Sequence, residues 1–130
     1  MNADEHRFDS LNLISEKIIG CAFTVSNLLG AGFLEKVYQN ALVIELLNTG
    51  LEVEKEKAIT ITYKGSIVGE YFADILVNRE IIIETKAVQS LNEIHQAQLL
   101  NYLKATQLPL GLLINFGTPK VQIKRMLNSK

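Results

Sequence analysis

The sequence predicts an α/β fold in one domain, with elements in the order αα-ββββ-α-β-β around a mixed central sheet flanked by helices. Apolar residues recur at helical spacing near the N-terminus, and the period changes to that of strands between residues 51 and 86. Two apolar runs without alternation, residues 81–83 and 110–114, are typical of central strands covered on both faces. A chain of 130 residues, of which 48% are hydrophobic and 21% charged, has the size and composition of a single globular domain.

Two helices open the chain. The first is predicted over residues 11–29, after a cap at Asp9 or Ser10, and ends where the glycines of the segment 30–32 allow positive φ. The second is predicted over residues 34–48, which carry a wide apolar face.

Strand patterns and one further helix fill the rest of the chain. The four strands that follow the second helix are predicted at residues 51–54, 58–63, 67–77 and 81–86. A helix over residues 92–105 then precedes a buried strand at 110–116 and an edge strand at 121–126. The free edge of this last strand leaves room for a homodimer.

The overall charge limits the kinds of partner. A net charge of −1 gives no basic footprint, which counts against a protein that coats nucleic acid but not against an enzyme that meets it through one local groove. The single cysteine, Cys21, excludes an internal disulfide and a cysteine-based zinc site, and we expect it in the core. The polar N-terminus and the lack of a long apolar run predict a cytoplasmic protein with no membrane partner.

Two acids and a lysine occupy strands that should be buried. If the chain reverses about Arg79, Asp74 lies directly opposite Glu84, because each is five positions from the centre of the turn. Side chains alternate along a strand, so Lys86 shares the face of Glu84. Burying such charges is costly unless they pair, bind a metal or do chemistry. The sequence therefore predicts the functional site on this patch of the sheet.

Polar side chains on two helices could join this patch. Glu35 and Tyr38 are three residues apart on the second helix, and Gln98 and Tyr102 are four apart on the third, so each pair shares a helix face. If both helices cover the sheet face that carries the acids, these groups converge there. His95, one turn before Gln98, is expected to be a surface or packing histidine.

Each cluster also has a purely structural interpretation. The acids and the lysine could form a cross-strand salt bridge on a solvent-facing surface, a contact worth about 0–1 kcal/mol. Glu35 could be a helix N-terminal acid favoured by the macrodipole. Tyr38 could serve packing alone, and Gln98 with Tyr102 could simply bridge a helix to the sheet.

Three motifs in this order resemble those of the GxxExxY family of the PD-(D/E)XK nuclease superfamily, over about residues 11–126. They are Gly32, Glu35 and Tyr38; Asp74 with Glu84-Thr85-Lys86; and Gln98 with Tyr102, which is similar to the Gln-x-x-x-Tyr motif of RecB-type exonucleases. The resemblance implies a restriction-endonuclease-like core.

It also implies a nuclease that hydrolyses DNA or RNA with Mg²⁺ or Mn²⁺, ions that prefer oxygen ligands. The implied metal ligands are Asp74, Glu84, the Thr85 backbone carbonyl and Glu35. The implied roles of Lys86, Gln98 and Tyr102 are to orient or help deprotonate the attacking water and to position the phosphate.

Two other classes of function stay open. The first is a catalytically silent nuclease-fold module that binds nucleic acid or a larger protein partner, which the small size and near-neutral charge favour. The second is a structural or regulatory α/β domain whose acids form ion pairs.

Overall fold

The computed structural model describes the backbone of residues 3–128 and the side chains of residues 9–128. Its elements are α1 (Ala3–Leu29), α2 (Glu35–Asn48), β1 (Val53–Tyr63), β2 (Ser66–Val77), β3 (Ile81–Lys86), α3 (Glu93–Thr106), β4 (Leu110–Asn115) and β5 (Gln122–Leu127). The predicted α/β class is confirmed.

The five strands form one mixed sheet in the order β1-β2-β3-β4-β5. Neighbouring strands are antiparallel except β3 and β4, which are parallel because α3 makes the crossover between them. α1 and α2 pack on one face of the sheet, and α3 packs on the other. The central strands β3 and β4 are therefore buried on both faces, as their uninterrupted apolar runs predict.

The prediction of four strands before α3 is wrong, because the first two form the single strand β1. Glu56 adopts a left-handed φ of 52° at the place where the sequence suggests a break. Pairing with β2 nevertheless keeps its register on both sides, from Lys55 opposite Ile75 to Lys57 opposite Ala73. The irregularity is a kink within one strand.

At this kink, the side chains of β1 and β2 that faced one side of the sheet begin to face the other. Val53 and Ile75 pack into the core beneath α1 and α2, whereas Ile59 and Ala73 pack into the core beneath α3, although all four are odd-numbered. Regular alternation would keep them on one face. The far part of the β1–β2 hairpin consequently folds over α3.

The first helix begins earlier than the sequence predicts. Asp9 and Ser10 lie inside α1 and do not cap it, because an interior Asp or Ser costs a helix less than about 0.7 kcal/mol. The predicted end is confirmed: Gly30 has a φ of 70° and its N–H donates to the Ser26 carbonyl at 2.9 Å.

α3 begins at a reciprocal cap. The Asn92 side chain accepts from the His95 N–H at 3.1 Å, and His95 Nδ1 accepts from the Asn92 N–H at 3.3 Å. His95 therefore caps α3, whereas the sequence predicts a surface or packing histidine. Cys21 is buried in the core, as predicted. Across residues 3–128, no helix combines the length and apolar character needed to cross a membrane.

Candidate active site

Asp74 and Glu84 face each other where β2 and β3 separate. Continuing the register from Ile75 opposite Ile83 places the two acids opposite one another, as the turn arithmetic predicts, but the ladder itself ends at that last pair. Beyond that pair, hydrogen bonds that involve side chains connect the two strands. The Thr85 N–H donates to Asp74 Oδ2 at 2.8 Å, and the Asp74 N–H donates to Glu84 Oε2 at 3.2 Å.

Side chains, and not neighbouring strands, bond the backbone of Asp74 on both edges of β2. Glu84 accepts from its N–H on the β3 edge, and a second side chain acts on the β1 edge. The β1–β2 ladder pairs the residues on either side of Glu56 but not Glu56 with Asp74. Gln39 of α2 compensates, because its Nε2 donates to the Asp74 carbonyl at 3.1 Å. Sequence reasoning missed Gln39, although its position four residues after Glu35 puts both on one helix face.

Three carboxyl groups, those of Glu35, Asp74 and Glu84, lie at this gap. Glu84 is only 4% exposed; burial, followed by the neighbouring charge of Asp74, raises its pKa to about 9. Burial and then the charge of Asp74 also raise the pKa of Glu35, against the lowering effects of Lys86 and then Lys36. Two lysines thus act on three carboxyl groups, an arrangement that still favours binding of a cation.

The salt-bridge interpretation of this cluster is wrong. Among the residues whose side chains are described, ion pairs within 4.0 Å join Lys36 to Glu56, Lys57 to Glu54 and Arg79 to Glu52, and none includes Lys86.

Lys86 instead begins a series of contacts that leads to α3. Its Nζ makes a long contact of 3.5 Å with Gln98 Oε1, and Gln98 Nε2 donates to the Tyr102 hydroxyl at 3.2 Å. Burial, and then the charges of Glu84 and Asp74, raise the pKa of Tyr102, which keeps its hydroxyl protonated.

Tyr38 fixes the loop that precedes α2. Its hydroxyl donates to the Gly30 carbonyl at 2.6 Å and accepts from the Phe33 N–H at 3.1 Å. Its ring stacks on Phe116 with centroids 4.9 Å apart. Tyr38 therefore combines packing of its ring with two hydrogen bonds to the loop, and the consequence is the placement of Glu35 at the first turn of α2.

The expectation that both helices cover one sheet face is wrong. α2 packs on the face of Ile83 and α3 packs on the face of Ile82, because a central strand that is apolar on both sides needs a cover on each. Glu35 still interacts with Asp74 and Lys86, since it stands at the end of α2 nearest the gap. The site therefore draws on both helical layers.

The donor set suits a hard cation. Across the described residues, no three His, Cys, Asp or Glu side chains form a group that could by itself hold a metal ion. Mg²⁺ is commonly bound through one or two carboxylates, with water and substrate phosphate oxygens completing its shell. The pair Asp74 and Glu84, close to the Thr85 backbone, fits that pattern.

Asn115 is a second supporting residue that sequence reasoning missed. Its side chain accepts from the Val88 N–H at 3.0 Å and donates to the Val88 carbonyl at 2.9 Å. The Gly117 N–H also donates to it at 3.0 Å. A Cβ at Gly117 would lie 2.3 Å from the Val88 carbonyl oxygen, so only glycine fits. These contacts fix the chain two residues after Lys86, and a buried polar residue at a strand end was the available signal.

The solved structures that are similar to this chain include the following two. The crystal structure of SSO0001 is 21% identical with a TM-score of 0.58, over 73% of this chain and 50% of that one. The chain thus spans half the length of SSO0001, and at this identity the similarity is one of fold. The crystal structure of an alkaline exonuclease (LHK-Exo) from Laribacter hongkongensis is 12% identical with a TM-score of 0.48, over 83% of this chain and 76% of that one. Comparison with curated proteins gives no match.

A family profile gives the assignment. It matches residues 12–126 and describes the PD-(D/E)XK nuclease superfamily. The five-stranded mixed sheet between helical layers is the restriction-endonuclease-like core that the motifs imply. Membership of the GxxExxY branch stays a prediction. The chain belongs to the PD-(D/E)XK nuclease superfamily.

Proposed function

We propose that the protein is a nuclease that hydrolyses phosphodiester bonds of DNA or RNA with the help of Mg²⁺ or Mn²⁺. The observation that carries the proposal is the buried pair Asp74 and Glu84 in the gap between β2 and β3. Burial, and then the neighbouring charge of Asp74, raise the pKa of Glu84 to about 9, so the two carboxyl groups do not both ionise at neutral pH without a compensating charge. A divalent cation supplies that charge.

The residues that would hold the ion are Asp74, Glu84 and the Thr85 backbone carbonyl, with Glu35 adding an inner or outer contact. An ion bound there would polarise the scissile phosphate and lower the pKa of a nearby water.

The chain's own residues supply the remaining functions. Lys86 orients the attacking water, assists its deprotonation and stabilises negative charge that develops on the phosphate. Gln98 holds Lys86 from one side and is itself held by Tyr102. Gln39 and Tyr38 are positioning residues, since they act through Asp74 and through the start of α2.

We also infer that the chain belongs to the GxxExxY branch. The contacts and conformations of the residues that give the motif its name, Gly32, Glu35 and Tyr38, support this inference. Gly32 has a φ of 116°, a conformation that favours glycine, in the loop that Tyr38 fastens. That loop precedes Glu35, whose carboxyl interacts electrostatically with Asp74. A cytoplasmic location and a homodimer through the edge strand β5 remain predictions.

A catalytically silent module that binds nucleic acid or a larger protein partner is the second candidate. One observation favours it: in the part of the chain with described side chains, Glu35 does not join Asp74 and Glu84 in a group of three that could hold an ion. A retired site should not bind Mn²⁺, and this separates the two candidates.

The test is calorimetric titration of Mn²⁺, together with cleavage assays on single- and double-stranded DNA and RNA. The variants are Asp74→Asn and Glu84→Gln, which keep side-chain shape and remove charge. Glu80→Gln is the matched control, because Glu80 lies in the turn at the opposite end of the β2–β3 hairpin. We expect wild type and the control to bind Mn²⁺ and cleave, and both site variants to do neither.

Cleavage by Asp74→Asn at the wild-type rate would refute the proposal. Absence of Mn²⁺ binding by the wild type, both alone and with an oligonucleotide present, would refute the nuclease proposal, and metal-free binding of the oligonucleotide would then favour the silent module.

A further inference from the structure

A groove of about 660 Å³ lies between α3 and the β1–β2 hairpin. It exists because β1 and β2 change sides beside the acidic pair and so bring Ile61 and Tyr71 over the helix. Gln98 and Tyr102 line the groove and also belong to the series of contacts that begins at Lys86. The groove is therefore continuous with the candidate active site.

The walls of the groove offer an aromatic surface to a planar ring. Tyr71 is 50% exposed, and its ring lies 5.8 Å from that of Tyr102 between centroids. Ile94 is exposed beside them and extends the apolar surface. A surface of this kind binds a flat, weakly hydrated group by stacking, and every nucleobase has such a face.

Polar groups at the groove suit a nucleotide more than a purely apolar ligand. Gln98 and Asn101 each carry a carboxamide, which both donates and accepts as the edge of a base does. Lys104 is the one charged residue among the described residues that line the groove, and its charge is complementary to a phosphate. The lining therefore presents no carboxylate that would repel a nucleic-acid strand.

We propose that this groove binds an unpaired base of a single-stranded DNA or RNA segment, stacked on Tyr71, next to the phosphate that lies at Asp74 and Glu84. The proposal rests on the proposed nuclease function and adds its substrate class. In a duplex, each base is stacked on both faces and its edge is paired, so it cannot enter a side groove. The structure accordingly favours single strands, overhangs or flaps over continuous duplex.

The test measures binding separately from cleavage. Asp74→Asn protein is titrated onto a labelled single-stranded oligonucleotide and onto its duplex, with fluorescence anisotropy as the readout. A 2-aminopurine placed within the single strand reports stacking by quenching of its fluorescence. The groove variants, made in the same background, are Tyr71→Ala and Tyr71→Phe.

Phe72→Ala is the matched control, because Phe72 is the next residue on β2, is 60% exposed and does not line the groove. Tyr71→Ala should weaken single-strand binding by about 5- to 150-fold, the effect of losing one stacked base, and should abolish the quenching. Tyr71→Phe and Phe72→Ala should keep both, and duplex affinity should be the same in every variant. Thermal melting checks that each variant is folded.

Unchanged single-strand affinity in Tyr71→Ala, or an equal loss in Phe72→Ala, would overturn the proposal and assign the groove to another occupant, such as a protein segment. If wild type cleaves while Tyr71→Ala binds normally, the groove proposal fails and the nuclease function stands. If binding depends on Tyr71 but no metal supports cleavage, the nuclease function fails and the groove proposal stands for a silent module.

Discussion

Gln39 donates a hydrogen bond from its Nε2 to the backbone carbonyl of Asp74 at 3.1 Å. The acid at the centre of the candidate site is thus held by a helix that packs against the sheet, at a position where neither neighbouring strand pairs with it. The placement of Asp74 consequently depends on how α2 docks.

Gln39→Met should lower both stability and activity. Methionine fills similar space but leaves the Asp74 carbonyl without its donor, which costs about 1–3 kcal/mol of unfolding free energy when the group is buried. Urea unfolding measures this change, and Mn²⁺ affinity should fall with it because Asp74 loses its restraint. Asn40→Ala, which removes an exposed contact with Lys55, should change stability by less than about 0.5 kcal/mol. Equal effects of the two substitutions would contradict the role of Gln39.

Tyr38→Phe tests the loop in front of α2. The substitution keeps the ring stacked on Phe116 and removes only the hydroxyl that bridges Gly30 and Phe33. We expect a loss of about 1 kcal/mol or more in unfolding free energy, together with reduced cleavage because Glu35 is no longer fixed. If activity falls while stability does not, the hydroxyl has a direct chemical role that its observed contacts do not suggest.

The buried Glu84 predicts a pH dependence of stability in the metal-free protein. Its pKa rises from an ordinary value of 4.5 to about 9 on folding, so between these limits the folded state binds a proton that the unfolded state does not. Stability should therefore fall as the pH rises through this range, by at most about 1.4 kcal/mol per pH unit. Glu84→Gln should flatten that slope in unfolding experiments with EDTA. The same slope in both proteins would show that Glu84 is ionised without metal.

Substitution of alanine at two glycines should change the stability of the protein in opposite directions. Gly117→Ala places a Cβ 2.3 Å from the Val88 carbonyl oxygen and should destabilise the protein strongly. Gly20→Ala in α1 meets nothing within 4 Å and should stabilise the helix by about 0.5–1 kcal/mol. Thermal melting compares the pair. A neutral Gly117→Ala would mean that the chain after β3 moves freely and that Asn115 does not fix it.

Local patterns predicted most of the fold and the opposition of Asp74 to Glu84. Alternation and a short turn determine which residues of a hairpin face each other, and both are visible in sequence. The left-handed conformation of Glu56 could not be predicted from the local sequence. It accompanies an ion pair with Lys36 of α2, a contact between distant parts of the chain. The change of sides in β1 and β2, which opens the groove at Tyr71, occurs at the same place in the hairpin.

The roles of the supporting residues Gln39 and Asn115 were not predicted, for a related reason. Gln39 acts on a carbonyl of β2 that the ladder leaves unpaired, and Asn115 acts on the chain just beyond the end of β3. Their importance is evident only once the ladder is known to stop. Sequence patterns predict where strands pair, and contacts between distant segments decide where pairing fails.

Because Glu35 and Gln39 come from one helical layer and Gln98 and Tyr102 from the other, the site is complete only when all three layers are assembled. A fluctuation that undocks either layer would remove part of the site before the sheet itself comes apart. Loss of activity on gentle heating should thus precede loss of β-structure. Catalytic competence would then report on the docking of the helices, a motion smaller than global unfolding.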